Sequence, residues 1–253
     1  MEVYHKIKSI LRTSLALAKA GFKLKNEGSY LGILWYLLDP LVMFFIFLVI
    51  RNITGKDIEN YPLYLLIGLI MFNFFRKTTG ESIRAIAGNS NLIRSIRVNR
   101  EMFVISIVLK NVFSHFFEII LFMVFLVIFK VSILNILFYF LIFAFFCLFV
   151  LGFSFILSTV GVYIYDFGNL WNIFTRLLWF ATPIFYSSKL KLPININSFN
   201  PVYYFITATR KIVIYNTVPE SSMILGIVLF SLISFLLGIF IFEKFKYKFA
   251  EKI

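Results

Sequence analysis

Apolar residues run through this chain in long blocks separated by short, mostly basic stretches. A helix needs about 20 apolar residues to cross a bilayer. Blocks of that kind fall near 30–50, 61–80, 103–129, 134–164, 169–187 and 222–242, which predicts six membrane helices and an all-α membrane protein. The third and fourth blocks exceed the minimum, so they are expected to tilt or to project beyond the hydrocarbon layer. The first 27 residues follow another rule. At about 100° per residue, Val3, Ile7, Ile10, Leu11, Ala18 and Phe22 share one side of a helix, and Lys8, Arg12, Lys19 and Lys23 gather in an arc on another. That is the pattern of an amphipathic helix lying along a charged membrane surface.

Two segments refine the pattern. Phe199–Tyr215 is apolar enough to imitate a span, but Asn200-Pro201 interrupts its start and Arg210-Lys211 its end. It reads as short re-entrant or interfacial helices within an outer segment, 188–220, ahead of the last span. In the fourth span Gly152, Ser154, Ser158 and Gly161 have spacings that permit close helix contact, a pattern also common by chance in membrane helices.

Composition agrees with the blocks. Of the 253 residues, 60% are hydrophobic and 20% aromatic, against roughly 45–50% apolar in soluble domains. The net charge of +13 does not point to nucleic acid, because Lys and Arg sit beside and between the apolar blocks, where topology and anionic headgroups place them. Putting both termini in the cytoplasm leaves 18 of the 25 Lys and Arg residues inside; the inverse topology reverses that bias. Cys147 is the only cysteine, so an intrachain disulfide is excluded, and its setting in an apolar run fits a small packing residue. Arg12 and Lys19 break the first apolar stretch, which argues against a cleaved signal peptide.

Catalytic chemistry has little to stand on. The chain has no Gly-x-x-x-x-Gly-Lys-Ser/Thr loop, no His-Glu-x-x-His and no cysteine cluster for a metal, and its two histidines are far apart at His5 and His115. Energised work therefore calls for a separate nucleotide-hydrolysing polypeptide. The segment 81–101 is the place for it: Arg84, Arg94, Arg97 and Arg100 surround Gly88-Asn89-Ser90-Asn91-Leu92-Ile93, and Glu101 precedes the third span. A basic loop that merely enforces topology is the plain alternative, although such a loop needs no helix–turn–helix pattern. Within the third span Asn111, Ser114, His115 and Glu118 share one face, either as a helix–helix polar contact or as a proton relay. Asp39 either faces a pathway or pairs with a basic neighbour.

Four ordered motifs then narrow the reading. Leu31-Gly32-Ile33-Leu34-Trp35-Tyr36-Leu37-Leu38-Asp39-Pro40-Leu41 opens the first span, and Asn91-Leu92-Ile93-Arg94-Ser95-Ile96-Arg97-Val98-Asn99-Arg100-Glu101 leads into the third. Asp166 with Arg176 and Thr182-Pro183-Ile184-Phe185-Tyr186 brackets the fifth, and Phe199-Asn200-Pro201-Val202-Tyr203-Tyr204-Phe205 runs on to Arg210. Together they resemble the permease subunits of type 2 ABC exporters that carry lipid-linked polysaccharides, such as O-antigen, capsule or teichoic acid. Two details depart from the family: Asn99 stands in place of a proline, and Tyr165 in place of an arginine before Asp166.

The resemblance implies a single transmembrane domain over 1–253 that makes no covalent bonds. Its partners are a second copy of itself, an ABC-type ATPase that binds the ATP and Mg, membrane lipids, and a polyprenyl-linked glycan. It places ATPase coupling at Arg84, Asn91, Arg94, Arg97, Arg100 and Glu101. The substrate pathway falls to Trp35, Asp39, Tyr186, Tyr203 and Tyr204, and an inner gate to Asp166 and Arg176. No metal site is expected. Aromatic residues beside prolines suit stacking on sugars, and equally suit the aromatic belt of a membrane interface. The rivals are an exporter of a drug, peptide or lipid, a proton-coupled transporter, and a membrane-embedded enzyme acting on lipid-linked sugars.

Overall fold

The computed structural model describes residues 2–27, 30–51, 58–95, 98–187 and 196–252. All regular elements among them are helical: α1 (Glu2–Asn26), α2 (Trp35–Val49), α3 (Tyr61–Ser82), α4 (Ser90–Ser95), α5 (Glu101–Ile128), α6 (Ile136–Tyr163), α7 (Phe167–Ala181), α8 (Ile196–Phe199), α9 (Pro201–Val213), α10 (Ser221–Phe245) and α11 (Phe249–Lys252). Gly32–Val49, α5, α6 and Ser221–Lys248 are each long and apolar enough to cross a membrane.

The remaining two expected spans are also helices, but of a different character. α3 carries Arg76 and Lys77 in its second half, and seventeen of its 22 residues are buried, so protein rather than lipid surrounds it. α7 has 15 residues and stops at Ala181 instead of running to 187. The cause is local: Thr182 is extended (φ −92°, ψ 130°), as a residue before proline prefers, and Pro183 brings no backbone N–H to continue the ladder.

α3 forms the centre of the main apolar core, walled by α5, α6 and α9. α10 packs on α6 from outside through one stripe, Met223, Ile227, Ser231, Ser234, Gly238 and Phe242, at the three- and four-residue spacing of a single helix face. Ser231 Oγ donates to the Phe145 carbonyl (2.9 Å) and Ser234 Oγ to the Phe149 carbonyl (2.9 Å). A Cβ on Gly238 would lie 2.2 Å from the Gly152 carbonyl oxygen, so backbone rests on backbone. Of the small residues in the fourth span, Gly152 meets α10 and Gly161 lies against the Ile83 carbonyl.

α1 packs along the first half of α5 with Ile10, Ser14, Leu17, Ala18, Gly21 and Phe22, leaving Ile7 and Leu11 exposed. Ser14 fits that apolar contact because its hydroxyl donates to the Ile10 carbonyl (2.7 Å). The molecule has two distinct ends. One gathers residues 81–101, the close of α6 and α10, and the start of α1, where Lys6 and Ile7 share a cavity with Glu101 and Glu243. The other gathers the end of α2, the start of α3, residues 182–187, and α8 with α9.

Candidate functional site

The segment entering α5 is held from beneath and open above. A 3₁₀ turn at Ala87–Asn89 leads into α4, and the Asn89 amide donates to the Ala85 carbonyl (2.8 Å). Ala85, Ile86 and Ile93 point down into a second small core with Met102, Phe103, Phe155, Phe242 and Phe249. Arg84, Asn91, Leu92 and Arg94 stand exposed on the opposite side. The sequence grouped Arg100 and Glu101 with them, yet these two turn inward. Glu101 pairs with Lys246 (2.8 Å), which also meets Glu243 (2.5 Å), and Arg100 donates to the Lys246 carbonyl. That brace fixes the end of α10 to the start of α5. Arg97 lies outside the described residues.

A groove of about 630 Å³ opens between α2, α3 and α7. Met43, Ile46, Phe47 and Phe180 give it apolar walls, while Asp39, Asn73, Arg76, Asn172 and Arg176 supply polar groups. Asp39 pairs with Lys77 (2.9 Å), and Arg76 donates to the Asn73 side-chain oxygen (3.3 Å). Of the residues expected in the pathway and gate, this groove brings together Asp39 and Arg176. Asp166 does not join them: it is exposed at the start of α7, about 15 Å along the helix from Arg176 at 1.5 Å per residue. Trp35 is exposed on α2 outside the groove lining.

The polar face of α5 serves helix contacts in two clusters. Glu81 of α3 takes Lys110 (2.8 Å), the Asn111 amide (2.9 Å) and Lys25 of α1 (3.4 Å). Deeper in the helix, His115 Nδ1 meets Glu118 (3.0 Å), its Nε2 meets the Tyr139 hydroxyl, and Glu118 faces Lys77 (3.8 Å). Lys77 thus joins the groove to the core. Sequence reasoning missed it, although two adjacent basic residues inside an apolar block, Arg76 and Lys77, were a visible signal that this helix faces protein and polar space.

At the far end the two downstream motifs interlock. Asn200 caps α9 by accepting from the Val202 N–H (3.1 Å) and donates its amide to Thr182 Oγ (2.7 Å). Arg210 is 2% exposed and donates to the carbonyls of Tyr64 (3.1 Å), Pro183 (2.6 Å) and Ile184 (2.9 Å), with its guanidinium over the Tyr64 ring. The Tyr64 hydroxyl bonds to the Tyr186 carbonyl (2.9 Å), and Tyr61 to that of Phe185 (3.0 Å). Tyr186 points its own hydroxyl at the Phe180 carbonyl (3.0 Å). Tyr204 packs over Gly226 and against Phe230, and half-buried Tyr203 meets it edge to face. Among the described residues no cluster of His, Cys, Asp and Glu fits a metal ion.

A bundle with helices long and apolar enough to cross a membrane, a basic segment exposed at one end and a polar groove along its side fits a membrane transport protein. Residues 14–214 match the ABC-2 type transporter family, and the chain belongs to it. It is similar to the O-antigen export system permease protein RfbA of Myxococcus xanthus, 22% identical with 94% of each chain covered. It is similar also to two Klebsiella pneumoniae proteins of that name, both 25% identical, covering 94% of this chain and 93% of theirs.

Proposed function

We propose that this protein is the permease subunit of an ATP-driven exporter that moves a lipid-linked polysaccharide across the cytoplasmic membrane. The observation that carries the reading is the likeness, over nearly the whole chain, to permeases named for O-antigen export. Six helices, α2, α3, α5, α6, α7 and α10, cross the membrane, with both termini and residues 81–101 in the cytoplasm; the charge asymmetry between the loops supports that orientation. α1 lies along the cytoplasmic surface, and α8 with α9 forms the outer re-entrant element.

Two copies of the chain face each other across α2 and α7, whose exposed apolar residues (Val42, Phe45, Leu177) need a cover of protein or lipid. Each copy presents Arg84, Asn91, Leu92 and Arg94 to an ABC-type ATPase, which binds ATP with Mg and supplies the work. The polymer passes along the α2–α7 side. Tyr203 suits contact with sugar at the outer end, whereas the Tyr204 ring is committed to covering Gly226.

Deleting the gene while leaving glycan synthesis intact tests this reading. Polymer should disappear from the cell surface and accumulate as lipid-linked material inside. Surface polymer at wild-type amount would overturn it and favour an exporter of a drug, peptide or lipid.

A further inference from the structure

A hollow of about 480 Å³ lies between α1, α5, α6 and α10, and none of its lining belongs to α2 or α7. It exists because α1 packs along α5 and does not close onto α10. Ile7 and Leu11 of α1 therefore stay exposed while lining the same space as Leu151 of α6 and Phe235, Ile239 and Phe242 of α10. The charged lining residues are Lys6, Glu101 and Glu243, at the start of α1, the start of α5 and the close of α10. They form a mouth at the end of the bundle that carries residues 81–101.

Depth and charge restrict the occupant. From Glu243 to Phe235 the hollow follows α10 for about 12 Å at 1.5 Å per residue. One leaflet contributes about 15 Å of hydrocarbon, half of the bilayer core. The mouth carries both signs. Glu101 and Glu243 share a single ammonium, Lys246 (2.8 and 2.5 Å), and the Glu243 side chain is still 46% exposed. Arg100 is turned to the Lys246 carbonyl, and Lys6 makes no ion pair or hydrogen bond with another described residue. A soluble ion would leave the walls bare, and a plain hydrocarbon would leave the mouth unmet. A molecule with a zwitterionic head and an apolar tail one leaflet long satisfies both.

We infer that this hollow holds one phospholipid with a primary-ammonium head, of the phosphatidylethanolamine kind, drawn from the leaflet beside residues 81–101. Its phosphate meets Lys6, its ammonium meets Glu243, and an acyl chain lies between Leu11, Phe235 and Ile239. A primary ammonium donates hydrogen bonds to a carboxylate, which a trimethylated one cannot do. A head with no cation would set its charge against two carboxylates. The lipid fills the gap that protein leaves between α1 and α10, and so ties the amphipathic helix to the frame. The inference rests on the reading that α5, α6 and α10 cross the membrane, and it is independent of the cargo.

The test uses the full-length protein in a neutral detergent, titrated separately with dioleoyl phosphatidylethanolamine, phosphatidylcholine and phosphatidylglycerol, with bound lipid counted by native mass spectrometry. Phosphatidylethanolamine should fill one site about fivefold more tightly than either of the others. Glu243→Gln should abolish that preference. Lys6→Gln, a change at an exposed side chain, should weaken all three lipids by about threefold, since all three carry the phosphate. Ile239→Trp, which fills the hollow, should displace the lipid while the protein still melts cooperatively. Equal affinity for the three lipids, a preference that survives Glu243→Gln, or a bound lipid that survives Ile239→Trp would overturn the inference. If Glu243→Gln accumulates poorly, unchanged binding in Lys6→Gln overturns it alone. Loss of surface polymer on gene deletion, with no headgroup preference in the purified protein, leaves the export reading standing and removes this one. Intact surface polymer with the preference present does the reverse.

Discussion

Arg210 and Arg176 are the same residue type in the same kind of surroundings, near the membrane and amid aromatic rings, yet they do opposite things. Arg210 is enclosed, with three backbone carbonyls accepting from its guanidinium and the Tyr64 ring stacked against it. Arg176 is exposed to a groove and meets no described partner. A buried arginine whose hydrogen bonds all go to backbone carbonyls is a fastener. One with idle donors in a concave place is available to something that comes and goes. Burial and partner count separate architecture from function here, and residue type does not.

The largest effect should come from removing the fastener. Arg210→Ala removes three buried hydrogen bonds and leaves a void beside Tyr64, a loss of about 3–5 kcal/mol. The protein should fall sharply in membrane abundance and in melting temperature in detergent. Arg210→Lys should recover little, because one ammonium cannot span three carbonyls. An Arg210→Ala protein that melts like the wild type would erase the contrast with Arg176.

A smaller effect sharpens the same point from the other side. Gly68 is the floor under Arg210, and a Cβ there would lie 2.3 Å from its terminal nitrogen. A free arginine would swing away at little cost. This one is pinned, so Gly68→Ala should destabilise by about 1–3 kcal/mol. Gly80→Ala on the same helix meets nothing within 4 Å and should be neutral or mildly stabilising in the same melt.

Smaller still is the surface pair at the start of α10. Lys211 lies 2.7 Å from Glu220 and holds its carboxyl below the ordinary value of 4.5. The folded state therefore binds the proton less readily than the unfolded chain. The pair's contribution is present above that ordinary value and fades as pH falls through the lowered one. Melting temperatures of wild type and Glu220→Gln should differ slightly at neutral pH and converge in acid, with the gap shrinking in high salt. The smallest expected change is at Arg176 itself. Arg176→Gln should leave the melting temperature where it was, within about 0.5 kcal/mol, while export falls.

Much of this was legible before any coordinates. The apolar blocks announced the helices, and the ordered motifs pointed to the family that the match over residues 14–214 shows. The block at 61–80 was legible as a helix, but its position at the centre of the bundle was not, since central and peripheral helices differ in their neighbours more than in composition. Asp166 and Arg176 were grouped by the family resemblance, and ten residues of helix rise hold them apart. Arg100 and Glu101 read as part of the exposed coupling set. Their partner, Lys246, lies at the other end of the chain, a distance no local pattern can cover. Tyr204 was chosen for its aromatic ring, and Gly226, which makes the ring's seat, is too common a residue type to have signalled it.

The contact between Gly152 and Gly238 has a mechanical consequence. Two helices whose backbones touch, with Ser231 and Ser234 tied across the same seam, cannot slide or spread without breaking several bonds together. α6 and α10 thus behave as one beam, and the Glu101–Lys246 brace bolts one end of it to α5. α7 buries only Trp171 and Thr175 and has no comparable seam among the described residues. In the export cycle proposed above, a push delivered through α4 would reach a stiff frame first, and motion would appear where the frame is loosely attached. In this molecule that is α7, the helix on which Arg176 stands.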